Sequence, residues 1–410
     1  MPLTDAQITI IKATVPILQT GGEALTTHFY KLMFRDFPEV QVFFNQTHQA
    51  SGEQPRALAN SVLCYARNID ALQNLGAVAG QIINKHVALQ ILPEHYPIVG
   101  KCLLQAIREV LGAETATDAV IDAWAAAYGQ LADVLIAEEA KVYKSLEEAT
   151  GGWAGARAFV VSRKVKESDV ITSFYLAPAD GKAVISYKAG QYIGLQLFVP
   201  DTASKCPVAK REIRRNYSLS QAADGKGLRI SVKREEGGVA SCFLHDTVAE
   251  GTSLNVFPPS GQFVLEAKET TAPNALFLCA GVGVTPMMAM LQSIAKDDAC
   301  TTSIAAAHFV HFTNKASVQA FAKDVSTIAD TTKKVTYKFI HTAGTAVSKD
   351  ETAAVGAVLD STKAFAVTDA EVYILGPKAF MRALRNGLMK KGVAADKIHI
   401  EFFGPTASLE

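Results

Sequence analysis

Hydrophobic positions recur at helical spacing through roughly the first third of the chain. In "LTDAQITIIKATVPIL", Ile8, Ile11 and Val15 repeat along one helix face, after a Thr4–Gln7 pair typical of a capping box. The pair Gly21-Gly22 is expected to break this helix before "EALTTHFYKLMFRDF" starts another. Further helical stretches are predicted near residues 55–66, 71–91, 94–111 and 117–146. The pattern predicts an all-α domain over residues 1–148.

After the glycines of "ATGGWAGARAF" the chain changes to short alternating runs, which are typical of strands. Turns such as 179–182 and 223–226 separate the runs, which are "ARAFVVSRKVKES", "VITSFYLAP", "QYIGLQLFV", "NYSLSQ", "LRISVKRE" and "SLNVFPPSGQFVL". This spacing predicts an antiparallel β-barrel over residues 153–268. From residue 273 to 410, strand and helix patterns alternate, which predicts an α/β doubly wound domain with a parallel sheet.

Composition and charge exclude several classes of protein. The 410 residues carry 40 basic and 40 acidic side chains, so no basic field indicates nucleic acid or an anionic membrane as a partner. The start "MPLTDAQITI" lacks the features of a signal peptide, and none of the six cysteines forms a C-x-x-C pair. Both features favour a cytoplasmic protein with reduced thiols, and the cysteine spacings argue against a zinc site.

The most apolar segment, Ala275–Leu291, is about long enough to suggest a membrane span. Gly281, Gly283 and Pro286 interrupt it where a buried strand, a turn and a helix fit better. We therefore expect no membrane span there.

The run "RRNYSLS" places Arg215, Tyr217 and Ser218 on a predicted barrel strand. A guanidinium suits a pyrophosphate, and a tyrosine ring can stack on a flat heterocycle. An ordinary exposed strand gives the same short pattern, but two neighbouring glycine-containing runs favour a binding site. These are "GQYIG" before the strand and "KREEGGVAS" after it, in which Gly237-Gly238 lets backbone amides approach a phosphate.

The run "AGVGVTP" lies between a strand and a helix, the phosphate-binding position of a dinucleotide fold. Any tight strand-to-helix turn can also use glycine, so this run alone decides little. Two later runs, "ILGP" and "IEFFGP", end predicted strands of the same domain, and core packing would also explain the aromatic pair in the second run.

A single histidine, His86, lies in the apolar helix of "INKHVALQILPEHYPIVG". Such a histidine is either a hydrogen-bonded core residue or a ligand, and the local pattern alone favours the core residue.

Taken together, the R-x-Y-S, G-V-G-x-T-P, Gly-Pro and F-G-P runs resemble the ferredoxin–NADP reductase family. Preceded by the helical domain with "KHVALQILPEHYPIVG", nearly the whole chain resembles the flavohaemoglobins. The resemblance implies a globin, an FAD-binding barrel and an NAD(P)-binding domain, with haem b, FAD and NADH or NADPH as cofactors. It implies a nitric oxide dioxygenase that turns O2 and nitric oxide into nitrate, and we expect a monomer.

The resemblance makes His86 the proximal ligand of the haem iron. It places Tyr96 and Glu139, with Glu138 as the adjacent alternative, in hydrogen bonds beside that histidine. On the distal side it implies catalytic roles for Tyr30, which would donate to bound oxygen, and for Gln54. The remaining matches are pocket residues and residues between haem and flavin, namely Phe44 and Leu58, and Lys85 and Glu401.

The reductase matches divide into two sets. The flavin set is Tyr192, Arg215, Asn216, Tyr217, Ser218, Gly238, Ser241, Phe402, Phe403, Gly404 and Pro405. The nicotinamide set is Gly281, Val282, Gly283, Val284, Thr285, Pro286, Gly376 and Pro377. Leu375 departs from the pattern, because many relatives have a cysteine there.

Two questions stay open at the level of sequence. Thr313-Asn314-Lys315 carries no acidic residue to bind a ribose hydroxyl, so NADH and NADPH are not distinguished. The alternative functions are a haem oxygen sensor or store, and an NAD(P)H-dependent reductase of other acceptors such as hydroperoxides.

Overall fold

The computed structural model describes residues 2–202, 204, 208–265, 274–296, 304–343 and 351–404. The chain divides into two compact units, one centred on Met1–Glu148 with Gln196–Arg215, the other on Ala149–Leu195 and Asn216–Phe403. The predicted boundary between residues 268 and 273 lies outside the described residues, as does Pro405. The limits of the three predicted domains stay predictions.

Residues 5–148 form a helical unit, as the periodicity predicts. Its α-helices are α1 (Asp5–Asp36), α2 (Gln46–Ala50), α3 (Glu53–Arg67), α4 (Gly76–Leu89), α5 (Tyr96–Thr115) and α6 (Asp118–Glu148). The capping box at Thr4 is confirmed, since its side chain accepts from the Gln7 amide and the Gln7 side chain accepts in return. A cluster of buried side chains from α1, α3, α5 and α6 forms the core of this unit.

The expected break at Gly21-Gly22 is wrong, because α1 continues through both glycines. Gly22 is buried against α3, and a methyl group there would lie 3.4 Å from Cβ of Ala59. Thr26 Oγ1 joins the same two helices by donating to the carbonyl of Pro55 at 2.7 Å. Glycine weakens a helix by about 1 kcal/mol, but most of the stability of a helix in a protein comes from tertiary packing such as that of α1 on α3.

Helix α6 is the one helix of the described residues that is long and apolar enough, by length and composition, to cross a membrane. Its residues Ala123, Trp124 and Ala127 lie in the core of the helical unit.

An antiparallel sheet follows along the chain. Its elements are β1 (Arg157–Lys166), β2 (Ile171–Pro178), β3 (Tyr192–Pro200), β4 (Lys210–Ser218), β5 (Leu228–Lys233), α7 (Val239–Asp246) and β6 (Ser253–Val256). The strand order is β4-β3-β6-β1-β2-β5. Leu219, directly after β4, forms a bridge with Ile230 of β5, so the two ends of the order meet and the sheet curls into a barrel.

The predicted strand "SLNVFPPSGQFVL" is only partly correct, because β6 ends at Val256. Pro258 and Pro259 follow after Phe257, and proline has no N–H to donate to a strand ladder. Beyond them, Ser260 makes one isolated bridge with Tyr192.

The last part of the chain forms a parallel sheet with helices. Its elements are β7 (Asn274–Ala280), α8 (Val284–Ala295), β8 (Ala307–Thr313), α9 (Ala322–Thr332), β9 (Val335–His341), α10 (Glu351–Ser361), β10 (Ala370–Leu375), α11 (Lys378–Lys390) and β11 (Ile398–Ile400). The order β11-β10-β7-β8-β9 reverses at β7, which has β10 on one side and β8 on the other. Ligands of such sheets bind at the carboxyl end of the strand where the order reverses. Here the run "AGVGVTP" occupies that end.

Candidate functional site

His86 lies near the carboxyl end of α4 and bonds to two side chains through one ring nitrogen. Its Nδ1 is 2.7 Å from Oε1 of Glu139 and 3.2 Å from the hydroxyl of Tyr96. The Tyr96 hydroxyl donates to the same carboxylate oxygen at 2.6 Å. Because a carboxylate only accepts, both His86 and Tyr96 donate to Glu139. The structure therefore brings together three residues that the sequence pattern placed on different helices.

Glu139, and not Glu138, faces His86. The Glu139 side chain is 3% exposed, whereas Glu138 pairs with Lys141 on the exposed surface. Burial, followed by the hydrogen bond to Glu139, raises the pKa of Tyr96 above its ordinary value. The Tyr96 hydroxyl therefore keeps its proton and remains a donor at neutral pH.

Two further tyrosines of α6, Tyr128 and Tyr143, position this cluster. Tyr128 donates to the carbonyl of Tyr96 and Tyr143 donates to the carbonyl of Ile91, both at 2.7 Å. These two tyrosines lie at helical spacing with Glu139, so one face of α6 holds the whole segment after His86. The sequence motifs do not single out either tyrosine, although their spacing with Glu139 along a long helix is a signal for both.

The other side of His86 fits the haem group that the resemblance implies. Within the part of the chain that the structure describes, His86 Nε2 makes no hydrogen bond, and the side chain is 32% exposed. Ile82 and Ile83 of the same apolar helix are only half-buried. A histidine whose Nδ1–H donates to a carboxylate while Nε2 makes no bond within the described residues has the arrangement of a metal-binding imidazole.

Tyr30, Phe44, Gln54 and Leu58 come together in the helical unit. Gln54 Nε2 donates to the Tyr30 hydroxyl at 3.2 Å, and the Phe44 ring meets the Tyr30 ring edge-on with centroids 5.5 Å apart. Leu58 packs against the same hydrophobic core. Burial raises the pKa of Tyr30 well above its ordinary value, so this phenol stays protonated.

The side chains of Lys85 and Glu401 each form a hydrogen bond with a backbone group. Lys85 Nζ donates to the carbonyl of Gly404 at 2.9 Å, and Gly404 adopts a positive φ of 148°. Glu401 accepts from the backbone amide of Phe402 at 2.9 Å. Its negative charge also adds to the effect of burial in raising the pKa of Tyr192.

The flavin set follows β4 and the loop before α7. Arg215, Asn216, Tyr217 and Ser218 are half-buried in succession on β4. Asn216 Oδ1 is a buried oxygen that has no hydrogen-bond partner among the described residues. Because an unpaired buried oxygen is unfavourable, this atom fits a site that receives a donor from a bound group such as FAD.

The other members of the flavin set either pack closely against neighbouring residues or lie at the surface. Tyr192 is buried, and a methyl group at Gly261 would lie 2.7 Å from its ring. Ser241 accepts from the backbone amide of Glu235 at 3.1 Å, which folds the loop that contains Gly238. Phe402 packs against a hydrophobic cluster of the parallel sheet. Phe403, in contrast, is 48% exposed, which leaves an aromatic surface for a planar group.

The first members of the nicotinamide set form one tight turn. Gly281 has φ of +54°, a conformation that favours glycine, and no atom lies within 4 Å of the position its Cβ would take. A Cβ at Gly283 would lie 2.3 Å from the carbonyl oxygen of Leu375, so only glycine lets the turn pack on the end of β10. Val282 lies between these glycines, and Thr285 Oγ1 donates to its carbonyl at 3.0 Å.

The remaining members of this set lie beside the turn. Val284 and Pro286 belong to the first turn of α8, Gly376 follows β10, and Pro377 precedes α11. The turn therefore presents backbone amides at the start of a helix, which suits the phosphates of a dinucleotide.

Three family models match this chain in the order of its elements. Globin matches residues 27–135, the Oxidoreductase FAD-binding domain matches 158–265, and the Oxidoreductase NAD-binding domain matches 277–386. A protein named Flavohemoprotein from Burkholderia sp. (strain TH2) is 52% identical over 405 residues, 98% of each chain.

Two solved structures are similar to the chain. A flavohemoglobin from Malassezia yamatoensis with bound FAD and heme has a TM-score of 0.82 at 26% identity, covering 98% of this chain and all of that one (100%). The FAD/NAD binding domain of a nitric oxide dioxygenase from Vibrio cholerae has a TM-score of 0.50 at 30% identity, covering 61% of this chain and 100% of that one.

Proposed function

Because the chain belongs to the flavohaemoprotein family, we propose that it is a nitric oxide dioxygenase that uses NAD(P)H and O2 to convert nitric oxide into nitrate. It is an oxidoreductase with globin, FAD-binding and NAD-binding segments, and its cofactors are haem, FAD and a nicotinamide dinucleotide. When bound, these cofactors supply hydride uptake, single-electron transfer and the oxygen chemistry at iron. The proposal extends to a cytoplasmic, monomeric enzyme with the three domain limits given above.

The observation that carries the proposal is the buried carboxylate of Glu139 shared by His86 and Tyr96. In the proposal His86 holds the haem iron through Nε2. Its Nδ1–H donates to Glu139, which makes the imidazole a stronger electron donor. An oxygen store has no need of such a donor or of a nicotinamide site, whereas an enzyme that activates oxygen benefits from both.

On the distal side we propose that Tyr30 donates a hydrogen bond to the oxygen substrate. The amide nitrogen of Gln54 is a donor only, so the Tyr30 oxygen accepts from it and the phenolic proton points elsewhere. Gln54 therefore orients Tyr30 as a donor. Phe44, which contacts the Tyr30 ring, and Leu58 would supply apolar surface that excludes water from the space beside Tyr30.

In the reductase segments, we propose that the flavin set holds FAD and the nicotinamide set holds NAD(P)H. Arg215 and the backbone at Gly238 would bind the FAD pyrophosphate, and Tyr217 would stack on the flavin. Phe403 would cover the flavin and move aside for nicotinamide. Lys85 and Glu401 would adjust electron transfer through their charges.

The first test is a stopped-flow experiment on the purified holoenzyme with NADH, O2 and nitric oxide. We expect nitric oxide loss that depends on NADH and yields stoichiometric nitrate. A stable oxygen-bound visible spectrum without nitrate would contradict the proposal and favour a sensor or store. Faster NADH oxidation with hydroperoxides than with nitric oxide would favour a reductase of other acceptors.

The second test is Tyr30→Phe, which removes the phenolic donor and keeps the ring. We expect oxygen to dissociate about tenfold faster, because one buried hydrogen bond is lost. Tyr65→Phe is the matched control, since Tyr65 is also buried but donates to the backbone of Ala127 at 2.8 Å. Equal oxygen dissociation rates in wild type and Tyr30→Phe would contradict the role of Tyr30.

A further inference from the structure

A buried histidine of β8, His311, contacts the turn that contains Gly281 and Gly283, which is called the nicotinamide turn. Its side chain is 0% exposed, and its Nε2 lies 2.9 Å from the carbonyl oxygen of Gly281. Its other nitrogen, Nδ1, lies 2.5 Å from Nε2 of Gln319, which follows β8. Both ring nitrogens are therefore used, and one of the bonds reaches the first glycine of the turn.

The partners of His311 fix its tautomer. An amide nitrogen only donates, so Nδ1 accepts from Gln319 and the ring proton is on Nε2. Nε2–H consequently donates to the Gly281 carbonyl. Burial lowers the pKa of His311 to about 4, so the ring is neutral at physiological pH.

The hydrogen bonds continue along the carboxyl ends of the strands. Gln319 Oε1 accepts from the Thr313 hydroxyl at 3.2 Å, and Nδ1 of His341 lies 3.0 Å from the same hydroxyl. Because the single proton of Thr313 is used toward Gln319, His341 donates to Thr313. A chain of bonds thus runs from His341, at the exposed end of β9, to the turn.

The hydrogen bond from His311 to the Gly281 carbonyl also fixes the orientation of the peptide group between Gly281 and Val282. A trans peptide is planar, so the carbonyl of Gly281 and the N–H of Val282 point in opposite directions. The carbonyl also accepts from the Val284 amide, so both of its lone pairs have donors inside the protein. With the carbonyl held toward buried His311, the Val282 N–H is directed away from the core.

We propose that His311 is a positioning residue for the nicotinamide dinucleotide: through Gly281 it directs the Val282 N–H toward the dinucleotide phosphates. Gln319 supports it by fixing the tautomer. This inference rests on the proposed assignment of the turn to dinucleotide binding.

A second histidine of β8, His308, provides a matched control. It is 2% exposed, and burial lowers its pKa to about 4 as well. Its partners are the hydroxyls of Thr336 at 2.8 Å and Ser361 at 3.1 Å, neither of which belongs to the turn. Replacing either histidine by phenylalanine removes two buried hydrogen bonds, but only His311→Phe removes one of the two donors to the carbonyl of Gly281.

The experiment is anaerobic stopped-flow reduction of the flavin by NADH in the full-length holoenzyme. For His311→Phe we expect the Kd for NADH to rise about tenfold, while the limiting reduction rate stays within about twofold. His311→Gln carries an N–H at a similar reach and should restore most of the affinity. His308→Phe should lower the thermal midpoint and leave the NADH Kd unchanged.

Four outcomes would overturn the inference. Equal NADH Kd values for His311→Phe and His308→Phe would reduce His311 to a structural residue. If His311→Phe does not fold, Gln319→Met is the variant to use. A normal Kd for NADH in Gln319→Met would show that His311 and Gln319 do not position the dinucleotide. Gly281→Val is strained at φ of +54°, so it tests the turn itself. A normal Kd for NADH in Gly281→Val would contradict the assignment of the turn to dinucleotide binding. A raised Kd in Gly281→Val together with a normal Kd in His311→Phe would contradict only the role of His311.

Discussion

The helical unit and the parallel sheet each contain a histidine in a hydrogen-bond network, and the two networks differ in kind. His86 donates through Nδ1 to a buried carboxylate, and its side chain is 32% exposed. His311 is completely buried and bonds through both nitrogens to an amide and a backbone carbonyl.

The difference shows how partners decide what a histidine does. A carboxylate partner increases the electron density of the imidazole and leaves the second nitrogen for a ligand. Neutral partners at both nitrogens, together with burial, keep the ring uncharged and fix the position of the backbone that it contacts. The first arrangement suits a metal ligand and the second suits a positioning residue.

Removing the carboxylate should have the largest effect. Glu139→Ala leaves His86 and Tyr96 without their shared acceptor. We therefore expect the rate of NADH-driven nitric oxide consumption to fall by about 100-fold. The iron–histidine stretching frequency, measured by resonance Raman spectroscopy, should fall as the imidazole donates less.

Glu139→Gln is the matched variant, because it keeps an acceptor oxygen without the charge. We expect an intermediate rate and an intermediate stretching frequency. A wild-type frequency in Glu139→Ala would contradict the role of the carboxylate, whatever the activity.

Acid should destabilise the unit that contains His311. The pKa of His311 is 6.5 in the unfolded chain and about 4 in the fold. Between pH 4 and pH 6.5 the unfolded chain therefore binds more protons than the folded protein. Stability therefore rises with pH, and lowering the pH from 7 to 5 should remove about 2 kcal/mol through this residue.

Urea unfolding of wild type and His311→Phe at both pH values measures this contribution. The variant should lose about 2 kcal/mol less between pH 7 and pH 5, since phenylalanine does not titrate. Parallel losses in the two proteins would show that His311 does not carry the effect.

The smallest effect should come from Tyr143→Phe, which removes the bond to the carbonyl of Ile91. We expect a loss of about 1 kcal/mol of stability and faster release of haem, because the segment after His86 loses one of its attachments to α6. Tyr65→Phe should cost similar stability without faster haem release, as its bond to Ala127 lies on a different segment. Equal haem release from both variants would remove the positioning role of Tyr143.

Much of the architecture was predictable because it depends on local periodicity. The helical, antiparallel and alternating patterns are confirmed as a helical unit, a curled antiparallel sheet and a parallel sheet. The two wrong expectations concern glycine and proline. Gly22 stays helical because α1 packs on α3, and β6 ends early because Pro258 and Pro259 cannot continue a ladder.

The sequence by itself determined the order of the elements, the family and the cofactors, since these follow from residue spacing and from motifs contained in single turns. Only the tertiary structure decided which side chains meet. It chose Glu139 over Glu138 for His86, left Asn216 Oδ1 without a partner among the described residues, and placed Gly281 over His311. Such contacts join positions far apart in the chain, and local patterns do not encode their distances, because burial and packing select among alternatives that look alike along the sequence.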